Sequence, residues 1–196
     1  VSTAPRGDVL AGAGDDAAVL RQPGGGFQVM STDHLRGFVE DPVMMTRIAA
    51  VHALGDVWAM GAAPQVALSS IILPRMAPSL QARTLREIAG AAQDVMAAAG
   101  AQIVGGHTTM GAELTIGFTV TGLRDRQPIG VGGARPGDML LLTRPIGSGV
   151  ILAGHMSGQA PGRVVAGALE IMARPQAREA EILSEAHAMT DVTGFG

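Results

Sequence analysis

Residues 41–61 read "DPVMMTRIAAVHALGDVWAMG", and this stretch decides the fold class. Asp41 is a good helix N-cap, Pro42 suits the first helical position, and Gly61 is suited to end the helix. The run "VALSSIIL" at residues 66–73 follows, and its β-branched and apolar content predicts a buried strand. Helices that alternate with buried strands are typical of an α/β (α+β) fold.

The alternation continues on both sides of this stretch. The sequence "FQVMST" at residues 27–32 predicts a short strand that ends at Asp33 and His34. Ser79 is the predicted cap of a second helix, whose apolar residues recur at helical spacing as far as Gly100. Two further strands are predicted, one in "AQIVGG" and one at residues 113–121.

The sequence changes character near residue 130, where we predict a second structural unit. Residues 130–150, "GVGGARPGDMLLLTRPIGSGV", are rich in glycine around one predicted strand at 139–143. Helical stretches are predicted near residues 162–172 and 175–188. We therefore divide the chain into an N-terminal domain, 1–128, and the beginning of a C-terminal α/β domain, 129–196.

The composition excludes several classes of function. The net charge of −3 and the absence of a basic cluster argue against a nucleic-acid surface. No apolar run approaches the roughly 18 residues of a membrane span. The 196-residue chain has no cysteine, which excludes disulfides and thiolate zinc sites, and no lysine, which excludes a P-loop or Schiff-base lysine. We expect a cytoplasmic protein.

Aspartates beside small residues are the candidate site residues. Most of them, taken singly, resemble ordinary turn or cap residues. Asp56 differs because it lies within an apolar helix, where a buried carboxylate must be paired, hydrogen-bonded or bound to a metal. His52 lies one turn earlier, so a structural contact between His52 and Asp56 is the alternative. The candidate acids are Asp15, Asp16, Asp33, Asp56 and Asp191.

Aspartates without thiolates suit hard cations, of which Mg²⁺ is the usual one, and Mg²⁺ commonly arrives with phosphates. Backbone N–H groups of glycine-rich loops can hold phosphate oxygens. The stretch "VGGHTTMG" at residues 104–111 is the strongest such candidate, and we predict it to be a loop. These residues indicate a magnesium–nucleotide site but no particular substrate.

Six motifs occur in an order that resembles one known enzyme family. They are "GDDAAVL", "STD", "EDPVMMTRIAAVHALGDVWAMGAAPQVAL", "GGHTTMGAELTIGFTVTGL", "RPGDMLLLTRPIGSGV" and "TDVTGFG". Together they resemble selenide, water dikinase (selenophosphate synthetase), of the aminoimidazole ribonucleotide synthetase-like superfamily. The resemblance implies a mixed sheet with flanking helices, a homodimer formed through that sheet, ATP as substrate and Mg²⁺ bridging its phosphates.

The resemblance also implies roles for individual residues. Asp16, Asp56 and Asp191 match metal-binding aspartates. The positions that match ATP contacts are Ala13, Gly14, Asp15, Asp33, Asp56, Gly106, His107 and Thr108. In the family the loop that carries the last three often reaches ATP from the partner subunit.

The implied reaction converts ATP, selenide and water into selenophosphate, AMP and phosphate. The family carries a Cys or selenocysteine and a catalytic lysine upstream of "GDDAAV", and this chain has neither. We therefore assign no catalytic residue and expect a fragment that lacks that loop and most of the C-terminal domain and is inactive alone. The alternatives are an ATP-dependent relative, similar to thiamine-monophosphate kinase or to a purine-biosynthesis synthetase, and a non-catalytic nucleotide-binding dimerisation module.

Overall fold

The computed structural model describes residues 6–193, so the last three residues of the "TDVTGFG" motif lie outside the described residues. A six-stranded sheet with the spatial order β1-β2-β3-β6-β4-β5 forms its centre. The strands are β1 (Val9–Ala11), β2 (Ala18–Arg21), β3 (Phe27–Arg36), β4 (Ala63–Pro74), β5 (Gln102–Gly111) and β6 (Thr115–Arg124). Only β4 and β5 pair in parallel among these strands, so the sheet is mixed, as expected.

Two long helices cover one face of the sheet. Helix α1 (Pro42–Ala59) leads from β3 to β4, and α2 (Pro78–Ala98) forms the crossover between the parallel strands β4 and β5. The three remaining helices are α3 (Ser148–Met156), α4 (Gly162–Met172) and α5 (Ala177–Ile182), of which α4 and α5 contact α1. Within residues 6–193 no helix combines the length and the apolar character that crossing a membrane requires.

Helix α1 is the central element of the core. As predicted, the Asp41 side chain caps it and accepts hydrogen bonds from two backbone N–H groups, and Gly61 follows its end with a φ of 66°. Because the sheet, α2 and α4 all pack against α1, its buried residues lie on every side rather than along one stripe. Asp56 lies among these apolar residues and is only 9% exposed.

Helix α2 confirms the predicted apolar stripe in its middle and corrects its start. Ile88, Ala92 and Met96 of that stripe are buried. The cap prediction at Ser79 is wrong, because Ala77 is the N-cap residue and makes no side-chain cap hydrogen bond. Pro78 occupies the first helical position, where its fixed φ begins the helix two residues earlier than predicted.

Two strands, β3 and β5, extend past their predicted ends into candidate site residues. β3 continues past Asp33 to Arg36, because β6 pairs with it along that whole length. The predicted phosphate loop is wrong: residues 104–111 lie in β5, whose ladder with β4 runs as far as Gly111. A Cβ at Gly106 would lie 2.2 Å from the Ser69 backbone oxygen, so glycine here permits close strand pairing.

Residues 125–193 contain α3, α4 and α5 but no strand. The strand predicted at 139–143 does not form, since no described strand pairs with its backbone groups. The four apolar side chains of this stretch, led by Leu140 at 96%, are exposed. The end of the glycine-rich stretch, from Ser148, belongs to helix α3, and α5 ends at Ile182 rather than near residue 188.

Candidate functional site

Four aspartates from separate parts of the chain meet between the sheet and α1, and we call them the acidic cluster. They come from the β1–β2 connection, from β3, from α1 and from the segment after α5, and are Asp16, Asp33, Asp56 and Asp191. Residues 174 positions apart come into contact here, since Thr190 Oγ1 donates a 2.8 Å hydrogen bond to Asp16 Oδ1. The fold thus assembles a dense group of carboxylates.

Asp56 is the most buried member of the acidic cluster. Its Oδ2 accepts a hydrogen bond from Ser31 Oγ of β3, which favours the carboxylate form. Burial outweighs this bond, and the negative charges of Asp191, Asp33 and Asp16 add to it, so the pKa of Asp56 rises to about 6. An oxygen donor of this kind is stabilised as a carboxylate when a cation lies beside it.

The Asp191 carboxylate lies against α1 at Gly55, the residue that precedes Asp56. A Cβ on Gly55 would lie 3.4 Å from Asp191 Oδ2, so the small residue at this position leaves room for the carboxylate. Burial, followed by the charge of Asp16, raises the pKa of Asp191 to about 6, although His52 acts in the opposite direction. Asp56 and Asp191 are therefore both harder to ionise than ordinary aspartates, because each is buried close to other negative charges.

Asp33 is the one member of the acidic cluster paired with a base. His52 Nε2 lies 2.6 Å from Asp33 Oδ2, so the predicted alternative, a contact of His52 with Asp56, is wrong: the imidazole reaches across to β3 instead. Burial alone would raise the pKa of Asp33, but the hydrogen bond and charge of His52 hold it below its usual value. The same hydrogen bond raises the pKa of His52.

Asp15 and Asp16 point to different surroundings, as expected for neighbours in extended chain. Asp15 Oδ1 accepts hydrogen bonds from the backbone N–H groups of Val131 and Asp16, at 3.2 and 3.0 Å. Asp16 joins the acidic cluster, and burial raises its pKa. Its Oδ2 is buried and has no hydrogen-bond partner, which marks it as an acceptor that a cation or a donor would satisfy.

The donor set of the acidic cluster fits Mg²⁺. All of the candidate donors are carboxylate oxygens, which hard cations prefer. No group of three His, Asp or Glu side chains between residues 6 and 193 is already arranged to hold a metal. Mg²⁺ usually takes one or two carboxylates and completes its shell with water and phosphate oxygens. Asp16, Asp56 and Asp191 stay the predicted ligands.

The fold does not bring all the predicted ATP contacts to the acidic cluster. Ala13 and Gly14 are exposed in the β1–β2 connection beside it. Gly106, His107 and Thr108 lie on β5, three strands from β3 and hence about 14 Å away. His107 pairs in register with Ser70 on the sheet face turned away from α1.

Comparison with known proteins identifies the family. Residues 14–124 match the model of the AIR synthase related protein, N-terminal domain. The chain belongs to this family. The matched residues begin just before Asp15 and end at the last residue of β6, so the match includes strands β2 to β6 and all of the acidic cluster except Asp191, while β1 lies before it.

Curated relatives of this AIR synthase related chain confirm the more specific resemblance to selenide, water dikinases. The chain is 40% identical over 185 residues to the selenide, water dikinase of Geobacter metallireducens. The alignment covers 93% of this chain and 53% of that protein. The chain is 41% identical over 198 residues to that of Nitratidesulfovibrio vulgaris strain Miyazaki F, with the same two coverages. The chain thus spans about half the length of these relatives.

Solved structures confirm the fold of the AIR synthase related chain. AaThiL complexed with AMPPCP and TMP superposes with a TM-score of 0.77 at 21% identity, covering 92% of this chain and 60% of that one. The thiamine-monophosphate kinase of Stenotrophomonas maltophilia K279a gives 0.72 at 22% identity, covering 93% and 61%. At these identities the likeness concerns the fold alone.

Sequence reasoning missed two side chains that hold the acidic cluster together. Ser31 and Asp33 are two residues apart on β3 and share a face, so their spacing could have placed Ser31 near the helix. Thr190 stands beside Asp191 in the quoted motif, but its bond to Asp16 depends on a contact across nearly the whole chain. Local sequence carries no signal for such a contact.

Proposed function

We propose that the acidic cluster binds Mg²⁺ together with the phosphates of ATP. The observation that carries this proposal is the convergence of Asp16, Asp56 and Asp191, with the pKa of both Asp56 and Asp191 near 6 and Asp16 Oδ2 unpartnered. A divalent cation offsets the repulsion among these carboxylates, which the fold otherwise bears. When bound, Mg²⁺ would neutralise phosphate charge during phosphoryl transfer.

The remaining residues of the proposed site would orient the nucleotide. Ala13 and Gly14 are exposed beside the acidic cluster, and the side chain of the next residue, Asp15, accepts a hydrogen bond from the Val131 N–H group. Asp33 would face the nucleotide with its charge balanced by His52. Asp56 would contact both the metal and the nucleotide. Little covalent chemistry is required of such residues, because positioning and electrostatics dominate phosphoryl transfer.

We propose further that the protein converts ATP, selenide and water into selenophosphate, AMP and phosphate. The support is the identity of about 40% to proteins named selenide, water dikinase across 93% of this chain. The chain spans about half of their length and contains neither cysteine nor lysine. We therefore propose that these 196 residues bind nucleotide without turnover. We also propose that the protein is cytoplasmic.

The open face of the sheet is the proposed homodimer interface. Met30, Leu68 and Leu123 project from β3, β4 and β6 on the face turned away from α1, and each is more than 40% exposed. Such a row of apolar side chains is typical of protein–protein contacts. His107 lies on the same face, which supports the proposal that residues 106–108 reach the nucleotide of a partner subunit.

Residues 129–196 are proposed to begin a second domain. The exposed apolar stretch at 139–142 supports this division, because such a stretch becomes stable as a strand only when other strands pair with it and cover it. Helices α3 and α4 come after that stretch in the chain and contact each other.

The central test is nucleotide binding measured by isothermal titration calorimetry with AMPPCP and Mg²⁺. We expect the wild-type chain to bind only when Mg²⁺ is present and Asp56→Asn to bind at least tenfold more weakly, while the exposed control Asp94→Asn binds normally. Equal binding by the two variants would contradict the proposed site.

The reaction is tested with a protein of the full length of the relatives. Selenide-dependent formation of AMP from ATP is the expected result. AMP formation that does not depend on selenide, or phosphorylation of thiamine monophosphate or turnover of a formylglycinamidine substrate instead, would assign the protein to another branch of the family.

A further inference from the structure

Arg124, the last residue of β6, connects three parts of the chain through its guanidinium. The side chain is nearly buried, with the residue 9% exposed. Its Nη1 donates a 2.8 Å hydrogen bond to the Met60 carbonyl oxygen at the end of α1. Its Nη2 donates a 3.0 Å hydrogen bond to the Ser184 carbonyl oxygen, beyond α5. One side chain therefore fastens the segment after α5 to the end of α1.

Gly61 provides the space for this guanidinium. A Cβ at position 61 would lie 1.6 Å from Arg124 Nη1, and the φ of 66° also favours glycine. The glycine that ends α1 thus has a second role besides termination of the helix. The backbone at Gly61 thus leaves room for the Arg124 guanidinium, which an arginine exposed on the surface would not require.

Residues 184–191 depend on such contacts for their position. They form no helix or strand, so no regular hydrogen-bond ladder holds them. Arg126 Nη2 donates a second bond to the Ser184 oxygen at 3.1 Å, and the Met189 N–H donates to the Gly130 oxygen at 3.2 Å. The segment then ends with Asp191 against Gly55 of α1.

Electrostatic repulsion makes this attachment necessary. Asp191 carries its charge next to Asp16, Asp33 and Asp56, and like charges at short range push the segment away from α1. A segment without secondary structure resists that force only through its anchors. Arginine suits the task, because its planar fork of donors reaches two carbonyl oxygens at once and keeps its charge at any relevant pH.

We propose that Arg124 is a positioning residue that holds residues 184–191 against the end of α1 and thereby places Asp191 in the acidic cluster. This inference rests on the proposed function, because Asp191 is taken there as a metal ligand. In this proposal Arg124 acts only through the segment and is assigned no direct contact with metal or nucleotide.

The test compares Arg124→Lys and Arg124→Met with the wild-type chain and with Arg86→Met, a matched change of an exposed arginine on α2. Amide hydrogen exchange followed by mass spectrometry reports on the peptide that covers residues 184–191. Free Mn²⁺, followed by electron paramagnetic resonance in the presence of AMPPCP, reports on metal affinity. Both measurements are repeated with Asp191→Asn as the background.

We expect Arg124→Met to accelerate exchange in residues 184–191 and to weaken Mn²⁺ binding about tenfold, the scale at which groups that orient metal ligands act. Arg124→Lys, which can still reach one carbonyl oxygen and preserves the fold, should give an exchange rate and a Mn²⁺ affinity between those of Arg124→Met and the wild type. Arg86→Met should match the wild type. With Asp191→Asn, the Arg124 variants should cause no further loss of Mn²⁺ affinity.

Two results would overturn the inference. One is unchanged exchange of residues 184–191 in both Arg124 variants. The other is an equal loss of Mn²⁺ affinity with and without Asp191, since Arg124 would then act by another route. Failure of the proposed function would give a different result. The wild-type chain itself would then bind no Mn²⁺ with AMPPCP, whatever the exchange data show.

Discussion

The imidazole of His52 on α1 lies 2.6 Å from the carboxylate of Asp33 on β3 and so balances one of four neighbouring acids. The hydrogen bond between them raises the pKa of His52. Against the effect of burial, the same partner lowers the pKa of Asp33. The pair therefore joins the central helix to the sheet at the point where negative charge is concentrated.

Replacement of His52 by glutamine should destabilise the protein in a defined pH window. The contribution of a base with a raised pKa is complete below its unfolded value near 6.5 and disappears as the pH rises through the folded value, while that of Asp33 requires a pH above about 4. We expect a loss of about 1–2 kcal/mol between pH 5 and 6.5, and a smaller loss at pH 9.

Thermal unfolding across this pH range provides the measurement, with the exposed His155→Gln as control. An effect of His52→Gln that is the same at pH 6 and pH 9 would show that the pair contributes no charge interaction.

Asp56→Asn should stabilise the protein at pH 7.5 when no divalent cation is present. The pKa of Asp56 rises from 3.8 to about 6 on folding, so the native state binds more protons and the free energy of unfolding falls as pH rises from about 4 to about 6. Asparagine resembles the protonated form and avoids that loss.

The comparison uses Tm values at pH 4 and pH 7.5, with Asp94→Asn as the exposed control. We expect Mg²⁺ to raise the Tm of the wild type at pH 7.5 and not that of Asp56→Asn. A lower Tm for Asp56→Asn at pH 7.5 without Mg²⁺ would show that the carboxylate is stabilising as it stands.

Asp56→Ala should weaken binding of Mg²⁺ and nucleotide more than Asp15→Ala. Asp56 lies at the centre of the acidic cluster, whereas Asp15 turns toward the Val131 N–H group. Calorimetric titration of both variants with Mg²⁺ and AMPPCP measures the difference, for which we expect about tenfold or more. Equal or reversed affinities would count against Asp56 as a metal ligand.

Ser31→Ala should shift the pH dependence of Mn²⁺ binding to higher pH. The hydrogen bond from Ser31 favours the ionised form of Asp56, so its removal raises the pKa of Asp56 further and leaves more of it protonated at neutral pH. Mn²⁺ titrations between pH 5.5 and 8.5 show the shift. Ser70→Ala, on the opposite face of the sheet, should have no effect, and a shift of the same size in this control would refute the explanation.

Leu68→Glu should convert the proposed dimer into monomers. This side chain lies on the open sheet face with Met30 and Leu123, where two buried charges would face each other across a symmetric interface. Sedimentation velocity gives the oligomeric state, and Leu80→Glu on α2 is the matched control. Wild-type protein that remains monomeric at high micromolar concentration would rule out this interface.

Local patterns predicted the elements well where a single physical preference dominated. Asp41 and Gly61 marked the ends of α1, and Asp56 stood out because a carboxylate in an apolar helix requires a partner. The stretch around His107 was misjudged because its glycines suggest a loop, whereas pairing with β4 holds them in a strand. Backbone pairing across the sheet overrode the local preference here.

Long-range contacts account for most of what the sequence could not predict. Nothing near Asp16 indicates Thr190, and nothing near Arg124 indicates that Ser184 would accept its hydrogen bond. The pairing of His52 with Asp33 rather than Asp56 depends on how β3 lies under α1, which helical spacing alone does not specify. The apolar stretch at 139–142 has the composition of a strand but no described partner.

The hydrogen bond between Thr190 and Asp16 also sets an order of events during synthesis, because the two residues are 174 positions apart. At ribosomal rates of about 5–20 residues per second, roughly 9–35 s separate their incorporation. The sheet and both long helices lie within the first 124 residues and are therefore synthesised before residues 184–191. The acidic cluster stays incomplete in the nascent protein until residues 184–191 emerge from the ribosome.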